Sequence, residues 1–339
     1  MDVFDRHAIP PLLLIVWRRP HTLRRVIDAI RPVAPPRIFV ACDGPNPERP
    51  GEVEKVAATR ALIDQSIDWP CQIELFYSPT NQGCRTAVSR AISWFFDHVE
   101  QGIILEDDCI PHPDFFRFCD SLLEHYRFDT RVWSICGSNF QQGHRHGDSS
   151  YYFSIHGDSW GWATWRRAWQ HYASAADLWP LVRDYGRFDD VFPIPEERAY
   201  WIELLDRTFI RADIDSWAFQ WLLTSWINNG LHVWPNEPLI SNIGFDSDGT
   251  HTFADRPEVV YSNIALNPLL QIIHPHFVLP SRSADNFAFF HRRFVAPPQP
   301  PQVPKGLKAW QLRLETLRSE GLPIYLYSRL SRVLQQLRF

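Results

Sequence analysis

The most constraining feature of this chain is an apolar run that stops abruptly in three acids. Residues 103 to 108 read Ile-Ile-Leu-Glu-Asp-Asp. Beyond Cys109-Ile110 comes Pro111-His112-Pro113-Asp114-Phe115-Phe116, the opening of a helix. A short apolar run bounded by such signals reads as a buried strand. It delivers Glu106, Asp107 and Asp108 to its own C-terminal end, the edge where open α/β sheets bind ligands. Like charges held this close repel, and a divalent cation carrying phosphates is the usual group that neutralises them. The plainer alternative is an acidic turn followed by charges at a helix N-terminus.

The first 140 residues alternate strand and helix patterns. Leu12–Trp17 is an apolar run, and His21–Ile30 carries Leu23, Val26, Ile27 and Ile30 at helical spacing. Arg37–Cys42 reads as a second strand leaving through Asp43-Gly44-Pro45-Asn46-Pro47. Glu52–Ser66 is helical, Gln72–Tyr77 is a third strand, and Ser78 to Gly83 is a loop. Thr86–His98 is an amphipathic helix, with Val88, Ala91, Ile92 and Phe95 on one face. Gly102–Leu105 feeds the acids, Phe115–Tyr126 is the next helix and Val132–Cys136 the next strand. This alternation predicts an α/β fold with a mostly parallel sheet covered on both faces.

The pattern then changes. Gln141 to Ser150 is a polar loop, and Tyr151 to Trp169 is dominated by aromatics and glycine. Glu196–Ile210 and Trp217–Asn228 read as helices, with Gly230 as C-cap of the second, and Leu231–Trp234 as a short strand. From Pro297 a proline-rich linker sets off Lys305 to Phe339, which is basic and helical in pattern. That segment fits a solvated helix packed on the core, or a surface helix touching an anionic membrane. The expected organisation is therefore 1–140, 141–255, 256–296 and 297–339: two halves of one α/β domain, an elaboration, and the linker with its helix.

Composition removes several classes. A formal net charge of −5 argues against wholesale nucleic-acid binding. None of the six cysteines forms a Cys-x-x-Cys pair, so they read as reduced residues of a cytosolic protein. The polar start Met1-Asp2-Val3-Phe4-Asp5-Arg6 is unlike a signal peptide, and Leu12 to Trp17 is too short to span a bilayer. The 15 tryptophans suit either a core or the apolar faces of sugar rings.

Four elements converge at the expected strand ends. Trp17-Arg18-Arg19-Pro20 follows the first strand, and its arginines can stack on a base, grip phosphate or be ordinary surface charge. Asp43-Gly44 follows the second; the carboxylate can accept an N–H from a pyrimidine or simply make the turn. Asn81-Gln82-Gly83-Cys84-Arg85 opens a helix whose free N–H groups favour an anion, with Arg85 adding charge. The fourth is Glu106-Asp107-Asp108, of which one carboxylate can bind Mn²⁺ or Mg²⁺ and another ribose hydroxyls.

In this order the motifs resemble those of nucleotide-sugar glycosyltransferases of the GT-A fold. The chain is most similar to the N-acetylglucosaminyltransferase I type and to bacterial family 2-like enzymes, on Glu-Asp-Asp and its Pro-Asp-Phe-Phe helix. The match runs from Pro11 to Gly249 and takes in Trp160-Gly161-Trp162, which resembles a segment under donor sugar and acceptor. Asp215-Ser216-Trp217 resembles the family's Asp-Asp-Trp, whose first Asp is the catalytic base. The resemblance implies that Arg18 or Arg19 and Asp43 hold uracil, that Glu106 and Asp107 contact ribose and sugar, and that Asp108 ligates the metal. It also places Asn81, Gly83 and Arg85 at the donor, Asp215 as general base and His251 of Asp248-Gly249-Thr250-His251 near the diphosphate as a metal ligand.

The implied activity is inverting, metal-dependent transfer of a sugar from a nucleoside-diphosphate sugar, UDP-linked by the resemblance, to a hydroxyl of a saccharide or lipid-linked acceptor. The chain departs from its relatives in having no membrane anchor before Leu12, which points to a bacterial, cytoplasmic setting, with peripheral membrane contact through the basic C-terminal helix. Ser216 replaces the second Asp of the family motif, and the region after Thr252 has no counterpart. A sugar-nucleotide nucleotidyltransferase would want a glycine- and lysine-rich loop where Arg18-Arg19-Pro20-His21 stands. A carbohydrate-binding protein with a decayed site is the non-enzymatic alternative.

Overall fold

The computed structural model describes residues 9–245, 264–269 and 271–293. Its frame is an eight-stranded sheet. In chain order the elements are β1 (Leu12–Val16), α1 (Pro20–Ile30), β2 (Arg37–Cys42), α2 (Glu52–Ser66), β3 (Gln72–Tyr77), α3 (Cys84–His98), β4 (Gln101–Glu106), β5 (Cys109–Pro111), α4 (Pro113–His125) and β6 (Val132–Cys136). There follow β7 (Tyr151–Ser154), β8 (Trp162–Trp165), α5 (Arg166–Trp169), α6 (Ala175–Asp184), α7 (Phe188–Val191), α8 (Pro195–Phe209), α9 (Ala218–Ile227), β9 (Leu231–Pro235), β10 (Ile240–Asn242) and α10 (Arg282–Arg293).

The sheet runs β3-β2-β1-β4-β8-β6-β9-β7. β3, β2, β1 and β4 are parallel, with Leu12 beside both Ile38 and Ile103. β8 enters antiparallel between β4 and β6, pairing Ile104 with Trp162. β9 is parallel to β6, and β7 closes the far edge antiparallel. The expected fold class, α/β with a mostly parallel sheet flanked by helices, is the one found, and it is consistent with a GT-A, Rossmann-like architecture. The sheet crosses residue 141 without a break, so both halves of the sequence share one frame.

Why the first strands read as unbroken apolar runs is visible in the layers. Leu12, Leu14 and Val16 face one core with α1, α2 and α4, while Leu13 faces another with α3. A strand covered on both faces has no polar side. α1 starts on Pro20 and buries Leu23, Val26, Ile27 and Ile30 completely, on one helical stripe. Truncating one of these to Ala costs about 2–5 kcal/mol.

Boundaries shifted where caps decide them. α4 begins at Pro113, because His112 caps it by accepting the Asp114 N–H on Nδ1 at 3.1 Å. At the end of α9 the left-handed position falls on Asn229 (φ 55°), not on Gly230. The Gly230 N–H reaches back to the Ser225 carbonyl at 2.7 Å and the Asn229 N–H to that of Trp226 at 3.1 Å, a Schellman closure. β5 and β10 form an unexpected two-stranded ribbon that lays Asn242 opposite Cys109. All six cysteines are free thiols. Among the described residues no helix is long and apolar enough to cross a membrane. The linker and basic segment after Pro297, like His251, lie outside the described residues.

Candidate active site

The strand order places the exits of β2, β1 and β4 side by side, and a cavity of about 720 Å³ opens over them. Its wall includes Arg19, Asp43, Asn81, Gly83, Glu106, Asp107, Asp108, Trp160 and Asp215, residues from six separate stretches of sequence.

At the centre is an ion cluster. Arg19 Nη2 donates to Asp107 Oδ1 at 2.5 Å and to Asp108 Oδ2 at 2.9 Å. Asp107 Oδ2 also accepts the Trp17 N–H at 3.1 Å. All three side chains are nearly out of solvent. Burial alone would lower the Arg19 guanidinium; Asp107 and Asp108 outweigh it and raise it. Burial raises Asp107, opposed by Arg19. Glu106 is pushed up to about 8, by burial first and then by Asp108. The positive charge that the clustered acids demanded is thus supplied, in this structure, by Arg19.

The residues offer a divalent cation only part of a site. Among the described residues no three His, Cys, Asp or Glu side chains come together to hold a metal. Asp108 already accepts from Arg19 on Oδ2, and a Cβ on Gly244 would stand 2.0 Å from that oxygen, so backbone covers it closely. Its Oδ1 has weak neighbours at 3.4 Å, Asn242 Nδ2 and Cys109 Sγ. One carboxylate oxygen with spare lone pairs fits a cation that brings its remaining ligands on a bound phosphate ligand; it is not a protein cage.

Asp43 organises the neighbouring exit. Its carboxylate accepts from the Gly44 N–H at 2.8 Å, the Gln82 N–H at 3.0 Å and Asn81 Nδ2 at 3.0 Å. Burial raises it, and the Gln82 and Gly44 amides oppose that. Asp43 therefore both makes its turn and ties it to the loop before α3.

Two motifs far apart in sequence meet at the start of α3. Asp215 accepts the Cys84 N–H at 2.8 Å and the Arg85 N–H at 3.2 Å. Gly83 holds φ 82°, a backbone conformation that favours glycine, and a Cβ there would sit 2.9 Å from Asp215 Oδ2. The helix N-terminus that the sequence offered to a phosphate is occupied by the carboxylate that the resemblance offered as a base. Each Asp215 oxygen keeps a second lone pair for an incoming hydroxyl.

Four expected residues are turned elsewhere. Arg18 lies over the Trp17 ring at 4.3 Å and pairs with Glu52 at 3.0 Å, outside the cavity wall. Arg85 Nη2 donates to the carbonyls of Thr208 at 3.0 Å and Ile214 at 2.9 Å, so it clamps the segment bearing Asp215 and does not face the cavity. Gly161 (φ 64°) is fixed by Ile240 and Leu105 packed where its side chain would be. Trp162 is core: it is 1% exposed and stacks on Trp217 at 5.6 Å. Trp160 alone of that motif lines the cavity, edge-on to Phe140 and Phe245.

Several wall residues carried no sequence signal of their own. Arg49 and Arg207 add cations. Asp158 stands within electrostatic reach of Glu106, while His156, Trp201, Trp234 and Asp285 line the part of the wall toward β7 and β9. They come from the loop after β7, from α8, β9 and α10, and only the fold assembles them.

No family model and no curated protein sequence matches the chain. Among solved structures, it is similar to HddC from Yersinia pseudotuberculosis at 10% identity, over 47% of this chain and 77% of that one, with a TM-score of 0.30. It is similar to 4-diphosphocytidyl-2C-methyl-D-erythritol synthase from Anaerococcus prevotii at 8% identity, over 49% and 77%, with a TM-score of 0.30. It is similar to the galactosyltransferase LgtC, solved with donor and acceptor sugar analogues, at 13% identity, over 71% and 91%, with a TM-score of 0.33. Likenesses this slight carry no argument about function, which rests on the geometry of the site.

Proposed function

We propose that the protein is an inverting glycosyltransferase that moves a sugar from a nucleoside-diphosphate sugar, UDP-linked, to a hydroxyl of a saccharide or lipid-linked acceptor. The observation that carries this reading is the single cavity in which the acidic exits of β2 and β4 continue into an aromatic wall. One end suits a nucleotide's polar groups and the other a sugar's apolar face.

On this reading Asp43 and Asn81 face the pyrimidine and Arg19 steadies the acids around it. Glu106 and Asp107 accept hydroxyls of ribose and donor sugar. Asp108 would hold a Mn²⁺ or Mg²⁺ ion shared with the donor phosphates, which when bound supplies positive charge to the departing diphosphate. Arg49 and Arg207 add charge from the cavity wall. Asp215, fixed against α3 by two amides, takes the proton of the attacking hydroxyl. Attack opposite the departing diphosphate in one displacement inverts the anomeric centre.

Release of UDP from a panel of UDP-sugars, with and without Mn²⁺, tests the activity. Asp215→Asn is expected to bind donor normally and to lose roughly 10²–10⁴ in transfer rate; full activity removes Asp215 from the mechanism. Asp108→Ala is expected to abolish the Mn²⁺-dependent part of UDP binding in calorimetry, and an unchanged metal dependence would overturn the ligand assignment.

A further inference from the structure

The cavity is finished at its aromatic end in a way that the donor does not explain. His156 follows β7 and its Nε2 lies 2.9 Å from Glu197 Oε1 on α8. Nε2 is taken by buried Glu197, and Nδ1 is the ring nitrogen left over. The ring packs against Phe192 at 5.8 Å and Trp201 at 5.5 Å, which also pack on each other. Its orientation is therefore fixed by three neighbours.

Three polar atoms in this region are buried and have no hydrogen-bond partner among the described residues: His156 Nδ1, Trp201 Nε1 and Asp285 Oδ2. The residues that carry them all line the cavity. Asp285 is 2% exposed; its Oδ1 accepts the Ser154 hydroxyl at 2.5 Å, while Oδ2 is 4.0 Å from the Arg282 guanidinium, beyond hydrogen-bond reach. A folded protein rarely leaves one such group unsatisfied. Here a donor, an acceptor and an imidazole nitrogen lie unpartnered together, just beneath a wall that also carries Trp160 and Trp234. The charged neighbours are acidic except for Arg282: Asp285 in the wall and Glu197 behind His156.

We propose that this end of the cavity is the acceptor subsite and that it takes an uncharged pyranose ring, whose hydroxyls complete the hydrogen bonding of His156, Trp201 and Asp285. The inference rests on the transferase reading for the word acceptor, but the subsite itself does not. Aromatic faces receive the apolar C–H side of such a ring, and hydroxyls both donate and accept, as the mixed set of unpartnered atoms requires. The carboxylates exclude uronic acids and phosphorylated sugars by like-charge repulsion.

Saturation-transfer NMR on the full chain tests this with the methyl glycosides of glucose, galactose, mannose and N-acetylglucosamine, and with methyl glucuronide, each with and without UDP. At least one neutral glycoside is expected to bind and the glucuronide is not. Asp285→Asn, which keeps shape but removes the acceptor, is expected to weaken the neutral glycoside about tenfold, the value of one hydrogen bond. Ala288→Trp, which fills the cavity from α10 one turn beyond Asp285, is expected to abolish the signal while UDP binding persists. The proposal is overturned if no neutral glycoside binds in either condition, if both variants leave binding unchanged, or if the glucuronide binds as well as the neutral sugars. If glycosides bind as expected and UDP does not, the subsite stands and the transferase reading fails.

Discussion

The two ends of the cavity solve the problem of buried polarity in opposite ways. At the strand exits, charge is gathered: Arg19 is shared between Asp107 and Asp108, and Glu106 is pushed up to about 8 beside them. In the aromatic half the buried carboxylates, Glu197 and Asp285, stand apart, and the scaffold behind them is uncharged. His232 on β9 lies fully buried between Ser134 Oγ at 2.6 Å and Ser225 Oγ at 3.0 Å, and is pushed down to about 3 by burial and then by His156. Trp226 and Trp234 likewise give their indole N–H groups to the carbonyls of Ile155 and His156 at 2.7 Å. A tight ion cluster at one end, and separated carboxylates on an uncharged, hydrogen-bonded scaffold at the other, is the difference expected between a site for a charged ligand and a site for an uncharged one.

Removing the cation sharpens this contrast most. Arg19→Ala leaves two buried carboxylates unpaired, and a loss of about 3–5 kcal/mol of stability is expected in urea unfolding at neutral pH. A loss below about 1 kcal/mol would mean that the cluster is open to water. In the aromatic half, Trp162→Ala is expected to cost about 3–5 kcal/mol through lost packing, since its buried indole N–H has no hydrogen bond among the described residues to lose. Trp160→Ala, in the cavity wall, should cost much less and should instead weaken glycoside binding. Equal destabilisation by the two would erase the distinction between core and wall.

His232 provides a pH signature. Below about 6.5 the unfolded chain protonates this histidine, while the folded chain holds off until about 3. The unfolded state then binds more protons, so this group makes stability fall as pH falls through that window, with a slope approaching about 1.4 kcal/mol per pH unit, and it has no effect above it. The ring should show no titration by NMR between pH 7 and 4; a midpoint near 6 would contradict its burial. The smallest effect concerns Asp215. As a remote cap on α3 it contributes about 0.5–2 kcal/mol. Asp215→Asn, which keeps an oxygen in place, should retain most of that stability and Asp215→Ala should lose it, while both lose transfer, which separates capping from proton transfer.

The same contrast explains what the amino-acid pattern could and could not reveal. β2, α2, β3 and β6 fall on their expected residues, because turn and polar residues bound each of them. β7 and β8 were hidden within Tyr151 to Trp169, where almost every residue is buried and periodicity vanishes. β5 and β10, three residues each, are too short to carry alternation. The acids were evident from an abrupt change of polarity, but that Arg19 would pair with them depends on the adjacency of β1 and β4. Asp215 and the loop at Gly83 were each noticed alone; their contact spans more than a hundred residues and belongs to the fold. Arg85 looked like phosphate charge because a sequence does not state which way a guanidinium turns, and the carbonyls of Thr208 and Ile214 decide it.

The central claim is that the acidic strand exits bind a sugar's nucleotide handle. Calorimetric titration of the full chain with UDP in the presence of Mn²⁺ tests it most directly. Saturable binding, weakened at least tenfold in Asp43→Ala by the loss of a charge-assisted hydrogen bond, is the predicted result. An absence of binding to UDP, and to the corresponding diphosphates of guanosine, cytidine, adenosine and thymidine, would contradict the account.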